Sequence, residues 1–273
     1  MLVCFLVLAF WASTVQATEE NRGIEDWHRV VPSVSTDTEV YGINENGQDD
    51  IPPSFYVYGI RYDFYDEVQT NGQVDVNVYM AERPLHYSER QEILLEMKRD
   101  YPYVERIGAP TSAYNCHSYA WYSASEDNPY WIVDVDVYIN DVHTDQISKE
   151  DCRAGDIIVY YDEQEQPVHS AVVTEIDGIR IMCISKWGVG HLCRHEVDDV
   201  PNAYKNNGTP DCRYYRIRPH NNTVSYNAST HTYSCSDCPY SITEPHKQSP
   251  LGICLTCGYS GNTQVAAAPD QKE

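Results

Sequence analysis

Basic residues are scarce in this chain of 273 residues. Its 19 lysines and arginines stand against 41 aspartates and glutamates, which gives a formal net charge of -22. Nucleic-acid phosphates and anionic membrane surfaces bind through lysine and arginine, so this composition argues against both partners. Phenylalanine is also rare, with 4 residues against 23 tyrosines, so most aromatic rings carry a polar edge. The 42% of hydrophobic residues suffices for one sizeable core with small appendages.

No long apolar run follows the first 17 residues. The segment MLVCFLVLAFWASTVQA carries no charge, and Val15-Gln16-Ala17 at its end resembles a signal-peptidase site. Because the run is short for a transmembrane helix, we predict a signal peptide over residues 1–17 rather than a membrane anchor. The mature protein is then secreted and has no stable membrane span. Of 10 cysteines, loss of Cys4 leaves nine, so at least one thiol is free, metal-bound or intermolecular.

Alternating residues predict a small β-rich region with one helix over residues 18–100, after a polar lead-in to about residue 50. The segments FYVYGIRYDFYDEV and QVDVNVYMAER flank Asn71-Gly72, a strong hairpin signal. The segment SERQEILLEMKRDYP predicts a helix that begins near Ser88 and ends before Pro102. Ser88 and Gln91 have the spacing of a capping box at its start.

The segment YNCHSYAW allows three interpretations of Cys116: a nucleophile, a metal ligand or a buried structural thiol. Asn115 is a suitable N-cap, which places Cys116 in the first turn of a helix. A helix N-terminus and a nearby imidazolium both favour the thiolate, the form that attacks a carbonyl carbon. His169 begins the strand HSAVVTEI and is the candidate base. His117 is a weaker candidate, because adjacent residues on a helix point apart.

Asp177-Gly178 predicts a hairpin that brings a third group to His169. If Gly178 takes a left-handed conformation in a three-residue loop, Val173 pairs with Ile181 and His169 lies opposite Ser185. Ser185 would then orient the imidazole, as the third member of a triad does. The same register puts Cys183 on an apolar face, where we expect it to be buried.

These residues resemble the NlpC-type and CHAP-type papain-like cysteine peptidases and amidases. The resemblance rests on Asn-Cys at a helix start, Gly-Asp before a strand and His-Ser-Ala at the next strand, over residues 101–220. It implies an α+β fold with a helix and an antiparallel sheet as the papain-like core. It also implies Cys116 as nucleophile, His169 as base and Ser185 as orienting residue. The stretch SKWGVGHLCRHEVDDVP resembles secreted bacterial members of this group, which makes His195 a rival third residue.

The C-terminal cysteines have the spacing of a zinc ribbon. Cys235-x-x-Cys238 and Cys254-x-x-Cys257 predict two knuckles that bring four thiolates to one tetrahedral zinc ion, in a module over residues 231–260. Two disulfides are the alternative in a secreted protein. His231 and His246 are further possible ligands. The last residues, 261–273, have the composition of a flexible tail.

The leading functional hypothesis is a secreted thiol hydrolase that cleaves an amide or peptide bond through Cys116 and His169. By resemblance alone, its substrate is a peptide of the peptidoglycan type. Two alternatives remain open: a binding or adhesion protein on a degenerate hydrolase scaffold, and an acyltransferase that uses the same two residues. The partner of the zinc module is unknown from the sequence, and catalysis needs no cofactor.

Overall fold

The computed structural model describes residues 54–260. The predicted signal peptide over residues 1–17, the polar lead-in and the C-terminal tail over residues 261–273 lie outside the described residues. Within residues 54–260, no helix is both long enough and apolar enough to cross a membrane.

A three-stranded antiparallel sheet opens the described chain. Its strands, which follow one another in the sheet, are β1 (Ser54–Val57), β2 (Ile60–Gln69) and β3 (Asp75–Ala81). The connection between β2 and β3 contains Asn71 and Gly72, so the predicted hairpin is confirmed. A bulge between Phe64 and Asp66 shifts the register of this pair.

One full helix, α1 (Tyr87–Asp100), follows the first sheet. The helix is confirmed, but the predicted capping box of Ser88 and Gln91 is wrong. His86 is the N-cap, and the Glu89 carboxylate accepts its backbone N–H at 2.6 Å. Arg83 binds the same carboxylate through two nitrogens at 2.8 and 2.9 Å, which fixes it at this position. Ile93 and Met97 turn the apolar side of α1 toward the core.

The centre of the molecule is a seven-stranded antiparallel sheet in the order β4-β9-β8-β7-β6-β10-β5. Before its central strands come a π-helix (Ser118–Tyr122) and a short helix, α2 (Asp136–Ile139). A 3-10 helix (Asn202–Tyr204) precedes the last strand. The strands are β4 (Glu105–Gly108), β5 (Thr144–Ile147), β6 (Ile157–Tyr161), β7 (Pro167–Asp177), β8 (Arg180–Lys186), β9 (Leu192–Glu196) and β10 (Asp211–Ile217).

Successive side chains of the central strands point to opposite faces, and both faces are covered. Ile157 and Val159 of β6 pack with Val76 and Val78 of the first sheet. On the other face, Ile158 packs among residues of β7 and β8 and the segment that carries the 3-10 helix. This double cover explains why β6 is buried along its whole length, with apolar residues at consecutive positions.

The predicted α+β fold with a papain-like core is wrong. The described chain is β-rich: it has 13 strands in three antiparallel sheets, and α1 alone is longer than two turns. The helix expected to begin at Cys116 ends at Tyr122 as a π-helix. The sequence soon reaches Asn128-Pro129, where proline disfavours helical backbone in the residue before it, so the segment cannot extend into a long helix.

A third sheet, of three antiparallel strands, completes the described chain. It consists of β11 (Asn222–Tyr226), β12 (Thr230–Cys235) and β13 (Ser241–Pro245). We call residues 54–218 the body and residues 221–260 the C-terminal module. The module includes the predicted span 231–260, and its sheet begins nine residues earlier because β11 pairs with β12.

Candidate functional site

Each C-x-x-C pair of the C-terminal module meets two histidines. In each group the four ligand atoms lie within 4.8 Å of one another. The described chain therefore has two clusters that can bind a metal ion, and the prediction of a single four-cysteine site is wrong. Site 1 consists of His143, His220, Cys235 and Cys238, and site 2 consists of His231, His246, Cys254 and Cys257.

Site 1 takes ligands from the body and from the module. His143 lies between α2 and β5 in the body, and its Nε2 is 3.5 Å from Cys235 Sγ. His220 follows β10, and its Nδ1 is 3.5 Å from Cys238 Sγ. Burial raises the pKa of Cys235, but the backbone N–H of Asp237 and the His220 ring outweigh it and lower the pKa to about 7. This thiol is therefore easily ionised, as a metal ligand must be.

Site 2 lies entirely within the module. Cys257 Sγ is 3.5 Å from His246 Nδ1, and Cys254 Sγ is 3.8 Å from His231 Nδ1. The other ring nitrogen of His246 lies 2.9 Å from the Asn227 carbonyl oxygen. Since that nitrogen must donate to a carbonyl, the lone pair of Nδ1 is left for a metal ion. The backbone N–H of Cys257 lowers the pKa of Cys254 to about 5, against the effect of burial.

Sequence reasoning identified the four cysteines, and it named His231 and His246 as further possible ligands. It missed His143 and His220. His220 lies within the run of histidines and cysteines that extends to Cys257, so this run was an available signal. His143 lies 92 residues before Cys235, and no local pattern links the two.

Cys116 starts a short helical segment, and Asn115 caps it as predicted. The Asn115 Oδ1 accepts the backbone N–H of Ser118 at 3.0 Å. The Asn115 amide nitrogen donates to the Ile132 carbonyl at 2.8 Å, which ties this turn to the segment before α2. The backbone N–H groups of Cys116 and His117, the first two of the segment, lie within hydrogen-bond reach of the Cys116 sulfur.

The Cys116 thiol is fully buried in this conformation, with 0% exposure. Burial raises the pKa of Cys116 to about 12, although the backbone N–H groups of Ser170 and His117 act on the sulfur in the opposite direction. The group is thus a neutral thiol at rest, so the depressed pKa expected of a thiolate–imidazolium pair is not present.

The Cys116 sulfur accepts the backbone N–H of Ser170, and His169 is the residue before Ser170 in β7. Its ring is stacked on Tyr204, with 3.9 Å between centroids and 5° between planes. Burial raises the pKa of Tyr204, and negative charge on Cys116 would raise it further, so these two groups are close enough to interact. Cys116, His169 and Tyr204 are all buried, and Tyr204 lies close to both of the other two residues.

The predicted pairing of Ser185 with His169 is wrong. Asp177 pairs with Arg180 across a two-residue turn, and a bulge follows between Val173 and Glu175, so Val173 pairs with Cys183 instead of Ile181. Ser185 Oγ lies 2.7 Å from His195 Nε2. Ser185 and His195, the two candidates for the third catalytic residue, are therefore hydrogen-bonded to each other within the β8–β9 pair. Burial lowers the pKa of His195 to about 4, so its ring is neutral at pH 7.

Two further side chains of this region are buried. Cys183 has 0% exposure, which confirms the prediction from the hairpin face. Lys186, also at 0%, donates to the carbonyl oxygens of Thr111, Gly188 and Gly190 at 3.1, 2.5 and 2.8 Å. The SKWG motif thus supplies a buried amine that contacts three backbone carbonyl oxygens.

Comparison of the chain with protein-family models, with curated proteins and with solved structures found no match.

Proposed function

We propose that the protein is a secreted thiol hydrolase in which Cys116 attacks an amide or peptide carbonyl and His169 is the base. The observation that carries the proposal is the position of Cys116 in the first turn of a capped helical segment. Its sulfur accepts the backbone N–H of Ser170, the residue that follows His169 in β7. Peptidoglycan-type peptides are proposed as substrates on the sequence resemblance alone.

The high pKa of Cys116 determines how the reaction would proceed. Because the resting thiol is neutral, His169 removes its proton as the sulfur attacks, instead of holding a preformed ion pair. The S–C bond forms, the C–N bond breaks, and the protonated His169 gives its proton to the leaving amine. Water then cleaves the thioester. The same N–H groups that surround the sulfur would stabilise the oxyanion.

Native-state alkylation tests this assignment. We expect iodoacetamide at pH 7 to modify Cys116 at least about tenfold faster than Cys193, since a positioned base typically contributes that much or more. Cys193 is a matched internal control, because it is equally buried, burial raises its pKa to about 12 as well, and its sulfur contacts the His191 backbone carbonyl instead of an imidazole. His169→Phe keeps a ring for the stack on Tyr204 but removes the base, and should bring Cys116 down to the rate of Cys193.

Peptide mass spectrometry gives the rate at each cysteine. If Cys116 and Cys193 react only when the protein unfolds, Cys116 is a packing residue. The binding-protein hypothesis then replaces the hydrolase.

We further propose that both metal sites bind zinc. Bonds of about 2.3 Å to sulfur and about 2.0 Å to nitrogen, at tetrahedral angles, put a zinc-bound sulfur and nitrogen about 3.5 Å apart. Three of the four sulfur–nitrogen distances are 3.5 Å and the fourth is 3.8 Å. Mixed sulfur and imidazole ligands suit this ion. Cross-paired disulfides are not favoured, because each C-x-x-C pair lies in a different cluster.

Metal analysis distinguishes this proposal from a single four-cysteine site. The purified protein should contain two zinc ions per chain, one for each cluster. Cys254→Ser should leave about one, because site 1 keeps all its ligands while site 2 loses a thiolate. A wild-type content of one ion, lost completely in the same variant, would instead support a shared site.

A further inference from the structure

Apolar packing does not fasten the C-terminal module to the body. The four hydrophobic clusters of the described chain contain no residue after Tyr215. Between Arg216 and Ser260, only His231 and Cys254 are buried. Both are ligands of site 2 and lie within the module, so neither holds it against another part of the chain.

Polar contacts between body and module are confined to site 1. Among the hydrogen bonds and ion pairs between described residues, one joins residues 221–260 to residues 54–218: Cys235 Sγ to His143 Nε2. The chain itself is fixed up to Arg218, whose backbone N–H donates to the His143 carbonyl at 2.7 Å and whose carbonyl accepts from Asn71. Beyond this point, His220 contacts the His143 ring, with centroids 4.7 Å apart.

The body presents His143 as a rigid ligand. Its side chain has 0% exposure, and its backbone N–H donates to Asp141 Oδ1 at 2.7 Å. Asp141 Oδ2 in turn accepts from the Gly72 N–H at 2.9 Å and from the Thr70 hydroxyl. The β2–β3 hairpin therefore holds the backbone of the loop that carries His143.

We propose that site 1 is a metal-dependent latch: a zinc ion bound by His143, His220, Cys235 and Cys238 holds the C-terminal module against the body. This inference rests on the zinc proposal above. When the ion is absent, the module stays connected mainly through the covalent chain at residues 219–220. Site 2 keeps the module folded, and site 1 sets its position.

Limited proteolysis of the full chain in the presence of zinc tests the latch. In His143→Ala, site 2 retains its ion, and subtilisin should cut at residues 219–222 at least about tenfold faster than in wild type, because cleavage follows the population of the open form. Hydrogen exchange at Arg218 should stay slow, since its N–H bonds to the His143 backbone carbonyl, which the substitution keeps. The β12 amides should remain protected.

Two variants control for loss of stability. His191→Ala removes another buried imidazole of the body, one with 7% exposure. Subtilisin should cut this variant at the wild-type rate. His143→Phe keeps a buried ring but offers no ligand atom, so it should be cut as fast as His143→Ala if the ion, rather than the imidazole packing, is what holds the module.

The outcomes separate the two proposals. Cleavage of zinc-loaded His143→Ala at the wild-type rate overturns the latch but leaves the zinc assignment intact. A wild-type chain that contains no zinc, and whose cleavage is unchanged by adding it, overturns both. Cleavage of His143→Phe at the wild-type rate also overturns the latch, because it assigns the effect of His143→Ala to lost packing.

Discussion

Removal of zinc by a chelator is expected to unfold the C-terminal module while the body stays folded. The two buried side chains of residues 221–260 are both ligands of site 2, so the module has no hydrophobic core of its own. Small modules of this kind depend on their metal, whose binding contributes roughly 10–16 kcal/mol in zinc-finger peptides. The body has four hydrophobic clusters and does not depend on the ions for its core.

Hydrogen exchange with mass spectrometry resolves the two parts. With chelator and a reducing agent, amides of β11, β12 and β13 should lose their protection, and those of β6, β7 and β8 should keep it. Trp121, Trp131 and Trp187 are buried in the body, so the fluorescence of these three tryptophans should stay unchanged. Zinc should restore the protection and magnesium should not, because magnesium prefers oxygen ligands. Protection of β12 without zinc would show that the sheet folds without its metal.

The structure of this chain could be predicted best where the signal is local. Asn71-Gly72 fixes a hairpin, and the spacing of Ile93 and Met97 fixes one side of a helix, because both depend on contacts between near neighbours. The register at Asp177-Gly178 failed although its signal is local. Gly178 does take a positive φ of 61°, but in a two-residue turn, and a bulge at Thr174 follows, so Val173 pairs with Cys183 instead of Ile181.

The fold class failed for a related reason. Asn115 caps the helical segment as the sequence predicted, but a cap does not determine how far a helix extends. The resemblance to papain-like enzymes supplied a long helix that these residues do not form. In the metal sites, the C-x-x-C spacing identified the cysteines but not their grouping. Grouping depends on where the sheet places each knuckle and on His143, which only the tertiary fold brings near Cys235.

Replacing Lys186 with methionine is expected to destabilise the body, by about 1–3 kcal/mol for each buried carbonyl oxygen that is left without a donor. The methionine side chain has a similar length but no donor, so the carbonyl oxygens of Thr111, Gly188 and Gly190 would each lose a buried hydrogen bond. These carbonyls also shape the turn after β8, where Gly188 has a positive φ of 53° that suits glycine. The turn and the Trp187 side chain should therefore move.

Urea unfolding of the zinc-saturated protein, followed by tryptophan fluorescence, measures this loss. Lys149→Met is the matched control, because Lys149 is exposed. This substitution should change the free energy of unfolding by less than about 0.5 kcal/mol. A Lys186→Met variant as stable as the control would mean that the three carbonyls find other donors and that the buried amine contributes nothing.

The pH dependence of the difference in unfolding free energy between wild type and Lys186→Met tests whether the Lys186 amine is protonated in the folded protein. Burial lowers the pKa of Lys186 from its ordinary value of 10.5 to about 7, and negative charge on Cys193 or Cys116 would oppose the shift. Between these two values the unfolded chain binds a proton that the folded chain lacks, so Lys186 adds stability as pH rises. The cost of Lys186→Met should therefore grow by about 1.4 kcal/mol per pH unit above pH 7. A cost that stays constant to pH 9 would show instead that the three carbonyls keep Lys186 charged, with a pKa near its ordinary value.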